Sequence, residues 1–251
     1  MSSSTLPAAS NGQPLDVWAR VAPYLIPPAA ASAAIVPVFY GFIAKSALQV
    51  GAPIPKMPII EVLKGGFKAA PTIGAIVGTQ IAVQKAVEKV LAKGSHGDQE
   101  TASSARILAS SMIVGGASAP ALAVFNGQTM GRSIVESLKK LTAKQAGAIV
   151  VRETSFLFSL RISDPLGRAM KQVGGDNKAV EYGAAFTSGA IGSVIGHPAD
   201  TALTLWQRNI QIDSFRSLMR GSPVKAVAVG GFAVCYKFIK EKLEEIQKGK
   251  K

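Results

Sequence analysis

Residues 183–207 read GAAFTSGAIGSVIGHPADTALTLWQ, and this stretch decides the fold. Its only formal charge is Asp200. A run of that length and apolarity is long enough to cross the hydrocarbon core of a bilayer as a helix. Gly192 and Gly196 stand four residues apart, a small-residue face on which a second helix can come close. Pro198 falls inside the run. A proline within a helix removes one intrahelical hydrogen bond and kinks the axis, which membrane helices tolerate when neighbours re-satisfy the freed groups.

Outward from it, similar segments recur along the chain. The pattern predicts six helices over 23–50, 70–92, 103–130, 146–171, 179–207 and 223–244. Pro37 sits in the first, Pro120 in the third and Pro198 in the fifth, so every odd-numbered helix carries an interior proline. Each proline is followed by a glycine near basic residues, at Lys64-Gly65-Gly66, Gly147 and Arg220-Gly221, and then by an even-numbered helix. The recurrence divides the chain into a polar arm over 1–20 and three helix-pair repeats over 21–95, 96–174 and 175–251.

Composition agrees with a membrane setting. Of the 251 residues 48% are hydrophobic and only 17% charged, below the quarter usual for soluble domains. The formal charge of +13 would suit a nucleic-acid binder, but the Lys and Arg stand at segment ends and in short loops with few aromatics beside them. Nucleic acid is therefore not an expected partner, whereas basic flanks around apolar helices suit an anionic bilayer surface. The single cysteine, Cys235, rules out an intramolecular disulfide. His96 lies in a polar loop and His197 precedes Pro198, neither with the spacing of a metal site or a triad. No enzyme activity and no cofactor is expected. The opening residues lack a basic stretch followed by an apolar run, so no secretory signal is read there.

The third repeat, with Ser188-Gly189-Ala190-Ile191-Gly192, then Pro198-Ala199-Asp200, Gln207 and Met219-Arg220-Gly221, resembles the mitochondrial carrier family. That family's signature is P-x-[DE]-x-x-[KR]-x-[KR]. Arg152-Glu153-Thr154 in the fourth helix resembles its substrate-contact region, and Pro71-Thr72-Ile73-Gly74 falls near the start of the second helix. The likeness spans about residues 20 to 245. It implies an all-α membrane protein of six transmembrane helices in three pseudo-threefold repeats. It further implies a multi-pass place in the mitochondrial inner membrane, with the bilayer, cardiolipin included, and other membrane-protein subunits as partners.

The departures from the signature shape the functional expectation. After Pro37 the acid and base positions hold Phe39 and Phe42, and after Pro120 they hold Leu122 and Phe125. After Pro198 the acid Asp200 stays, while Leu203 and Leu205 replace both bases. On the sixth helix Lys237 stands where the family's second gate has an acid. Alternating access needs two closed states of similar free energy, and charge pairs serve as breakable latches. Apolar side chains at those places favour a carrier fold kept as a non-exchanging accessory subunit of a membrane complex, for instance a respiratory one. The alternative is an active solute carrier for small anions such as nucleotides or carboxylates, or for amino acids. Its binding residues would be Arg152 and Glu153, with Arg161 and Asp164 on the fourth helix, because ionisable groups at membrane depth are candidate sites. On the resemblance, Pro37, Pro120, Pro198, Asp200 and Gln207 would be the remnants of the kinks and gate.

Overall fold

The computed structural model describes residues 17–93 and 104–249, with the backbone alone at 17–20, 88, 91–93, 104–108, 157–165 and 249. Residues 1–16 of the polar arm and the loop with His96 lie outside the described residues. Among those described there are nine helices and no strand: α1 (Val17–Gln49), α2 (Ile59–Lys93), α3 (Ser104–Thr129), α4 (Ile134–Lys139), α5 (Ala143–Gly174), α6 (Lys178–Ile195), α7 (His197–Gln207), α8 (Phe215–Leu218) and α9 (Ser222–Gly249).

The long helices close into a ring. α1 packs on α2, α2 on α3, α3 on α5, α5 on α6 and α7, α6 on α9, and α9 returns to α1. The short α4 and α8 lie in the turns that lead into α5 and α9, at one end of the ring, where the C-termini of α1, α3 and α7 also gather. Among the described residues three stretches are long and apolar enough to cross a membrane: Val21–Gln49, Ala109–Thr129 and Phe215–Lys248.

Local chemistry sets the element ends. Thr142 accepts from the Gln145 backbone N–H while the Gln145 side chain accepts from the Thr142 N–H, a capping box that starts α5. Asn177 caps α6 and Ser133 caps α4 in the same way with one side-chain acceptor each. α2 begins eleven residues earlier than expected, at Ile59, because Pro58 offers its carbonyl to the first turn and Pro71 is accommodated inside the helix.

Pro37 and Pro120 lie inside α1 and α3 as expected. Pro198 does not lie deep in a helix. The fifth segment breaks at Gly196, and Pro198 occupies the first turn of α7, where its missing N–H has no intrahelical partner to lose. The break lies against α5: a side-chain Cβ at Gly196 would stand 3.0 Å from the Arg152 carbonyl oxygen. The glycine lets the start of α7 come close enough to α5 to join their polar groups. A buried cluster of Ile35, Phe39, Ile73, Leu122, Phe125, Ile149 and Leu203 packs inside the ring. At its edge the partly buried Phe42 ring meets Phe125 edge to face at 5.5 Å.

Candidate functional site

The polar groups of the ring converge on one carboxylate. Asp200 stands in the first turn of α7 with 1% of its surface exposed. Its Oδ2 accepts from Lys45 Nζ at 3.0 Å and from Gln49 Nε2 at 3.0 Å, both on α1, and lies 3.3 Å from Lys225 Nζ on α9. Its Oδ1 accepts from Arg152 Nη1 on α5 at 2.8 Å. Arg152 also donates through Nε to Glu153 Oε1 at 3.0 Å, and Gln80 Nε2 on α2 donates to Glu153 Oε2 at 3.0 Å.

α3 joins through Asn126. Its Oδ1 accepts from Lys45 at 3.3 Å, and its Nδ2 donates to Gln207 Oε1 at 2.6 Å and Thr204 Oγ1 at 3.3 Å. Thr204 in turn donates to Gln49 Oε1 at 2.8 Å. The spacing explains the convergence, because Asp200, Thr204 and Gln207 fall at i, i+4 and i+7 on α7 and Lys45 and Gln49 at i and i+4 on α1, so each set shares one helix face. One turn further out the Ser46 and Thr129 hydroxyls lie 2.8 Å apart. His197, fully buried, donates Nε2–H to the Arg220 carbonyl at 2.9 Å, tying the start of α7 to the turn before α9.

The cluster holds three cations, Lys45, Arg152 and Lys225, against two carboxylates, Asp200 and Glu153, a formal surplus of one positive charge. It borders a cavity of about 140 Å³ inside the ring, whose remaining wall is chiefly apolar and includes Phe42, Ile76, Leu122 and Phe232. Buried ions are costly unless paired and hydrogen-bonded. Here each of the five charged groups has at least one partner of opposite sign.

Phe39, Leu122, Phe125, Leu203 and Leu205 are buried at the positions where bases or acids would stand, and the same end also holds the ion cluster around Asp200. Its cations come from elsewhere: Lys45 is a turn beyond Phe42, and Arg152 and Lys225 belong to the helices that follow the turns. Of the residues predicted for the site, Arg152, Glu153 and Asp200 come together, and Gln207 joins them through Asn126. Pro37 and Pro120 lie within α1 and α3, and Pro198 sits two residues before Asp200. The side chains of Arg161 and Asp164 lie outside the described residues.

Lys45, Gln49, Gln80, Asn126 and Lys225 were not singled out from the sequence. Lys45 carried a usable signal, being the one charged residue between Val21 and Val50. Asn126 and Lys225 gave none, since a single polar residue in an apolar run does not reveal which way it faces, and Gln80 reads only as the start of the polar end of the second helix.

At the opposite end, Lys171 of α5 pairs with Glu181 of α6 at 2.8 Å, Lys237 of α9 with Glu181 at 3.4 Å, and Lys178 with Glu241 at 3.3 Å. A second set of pairs therefore exists although Lys237 replaces the expected acid, but all these groups are partly exposed and such pairs are weak. The sets at the two ends differ in burial. No protein-family model matches the chain, and no curated protein matches it in sequence.

Proposed function

We propose that all six helical arms of the ring, with α6 and α7 counted as one, cross a bilayer as in the mitochondrial carrier family, and that the protein binds and moves a small anionic solute through its central cavity. The mitochondrial inner membrane, with cardiolipin among its lipids, is the setting this reading implies. The observation that carries it is the convergence of Lys45, Arg152 and Lys225 on Asp200 beside the cavity. An end meant to stay shut gains nothing from buried ions, since apolar residues of similar volume are commonly as stable or more so. A charge cluster at a cavity floor can instead part and re-form when water and solute enter, as alternating access requires. The surplus positive charge favours anionic cargo.

Purified protein in liposomes tests the reading. Labelled small carboxylates should exchange saturably, and a double Arg152→Ala, Glu153→Ala variant should insert but not transport. Absence of uptake for carboxylates, nucleotides and amino acids alike would end it.

The second reading is a non-exchanging scaffold within a larger membrane assembly, such as a respiratory complex. It draws support from the apolar layer of Phe39, Phe42, Leu122, Phe125 and Leu203 packed beside the charge cluster, because such a layer has to be opened before solute can pass. This reading expects mild detergent to release the chain in a much larger particle, with no uptake in vesicles.

A further inference from the structure

We infer that the cavity takes a monoanionic amphiphile of about benzene size: a carboxylate headgroup on a compact hydrocarbon body. The inference deepens the solute-binding reading and rests on it. Three features of the cavity point the same way.

The first is size. A cavity of about 140 Å³ matches the scale at which an apolar protein cavity accepts a benzene-sized molecule. The polyphosphate of a nucleotide would bring more negative charge than the cluster's surplus of one can balance. The second is the wall, where Phe42, Ile76, Leu122 and Phe232 offer hydrocarbon and no unpaired polar group to a ligand's body. A second charge on the ligand would have to be desolvated against those rings, which disfavours dicarboxylates and zwitterions.

The third is the floor. Lys45, Arg152 and Lys225 exceed the two carboxylates by one charge, so one further anionic group neutralises the cluster without displacing Asp200. Lys225 is the natural contact, because its pair with Asp200 is the longest of the three at 3.3 Å, and it stands in the cavity lining. A carboxylate placed there sits in a charge-assisted bond at low dielectric while its hydrocarbon body fills the space above.

The test uses the full chain in lipid nanodiscs and isothermal titration calorimetry with benzoate, 4-methylpentanoate, acetate, benzamide, succinate and ADP. Benzoate and 4-methylpentanoate should bind at least about tenfold more tightly than the other four, since a lost charge or a lost hydrocarbon body each removes roughly that much. Lys225→Gln should lower benzoate affinity by a similar factor and Lys225→Arg should restore most of it. Val229→Phe, which narrows the cavity and leaves the ion cluster in place, should also weaken benzoate and serves if the lysine variants do not fold.

Benzamide equal to benzoate, or succinate or ADP as the tightest ligand, would overturn the inference. So would unchanged benzoate affinity in folded Lys225→Gln. Benzoate binding without uptake of any carboxylate, nucleotide or amino acid in liposomes leaves the inference standing and removes the transport reading. Exchange of another solute by protein that does not bind benzoate does the reverse.

Discussion

Asp200 is the residue on which the buried cluster depends, since its two oxygens hold Lys45, Arg152, Lys225 and Gln49 together. Asp200→Asn keeps the volume but leaves three buried cations to be balanced by Glu153 alone. Removing one partner of a buried ion pair commonly costs about 3–5 kcal/mol, and a loss of that size in thermal or denaturant unfolding in detergent is the expected result. Indifference to the change would mean that water reaches the cluster freely. Glu136 on α4 is the contrast. The Lys140 ammonium bonded to it holds its carboxyl below the usual range, but the pair is exposed. A depressed carboxylate contributes stability above its unfolded pKa and loses it as pH falls through the folded value. Acid titration of Glu136→Gln beside the parent protein should therefore differ only slightly, at pH values around and above the usual carboxylate pKa, and the difference should vanish in high salt.

At the scale of elements, the turn between α8 and α9 determines where Lys225 points. Gly221 there has φ +79°, and a Cβ on it would come within 3.1 Å of the Lys45 carbonyl oxygen. Gly221→Ala should destabilise by about 1–2 kcal/mol, the cost of a left-handed conformation for a residue with a side chain. Its effect should couple to that of Lys225→Gln in a double-mutant cycle, because the turn carries that lysine to Asp200. The break between α6 and α7 follows the same logic. Gly196 does form a close-packed face, against α5, but at Pro198 the chain starts a new helix where an interior kink was expected. A proline is cheaper in a first turn than in a helix interior, and that exchange brings Asp200 down to the end of the ring.

For the molecule as a whole, the closed end of the ring can be tested by a cross-link between α1 and α3. The hydroxyls of Ser46 and Thr129 are 2.8 Å apart, so Ser46→Cys with Thr129→Cys, in a Cys235→Ser background, should form a disulfide under mild oxidant. On the transport reading, oxidation should stop uptake and reduction restore it. The scaffold reading expects the same bond and no uptake in either state. The number of crossings has its own check. Cysteines placed singly at Lys56, Lys140 and Arg216 should react with an impermeant reagent from one face of the vesicle, and one at Asp176 from the other face.

Periodicity and composition determined the helices, because a run of apolar residues long enough to span a bilayer leaves the backbone little choice but to satisfy its own hydrogen bonds. The stretch 183–207 also announced Asp200, the one charge it holds. Its partners were decided by the tertiary structure. Lys45, Arg152 and Lys225 are 155, 48 and 25 residues away along the chain, and only the closing of the ring brings their heads within bonding distance of one carboxylate. Local sequence fixes a side chain's place along its own helix, whereas the charges it will face depend on how the helices are turned toward one another, and packing across the whole ring sets that.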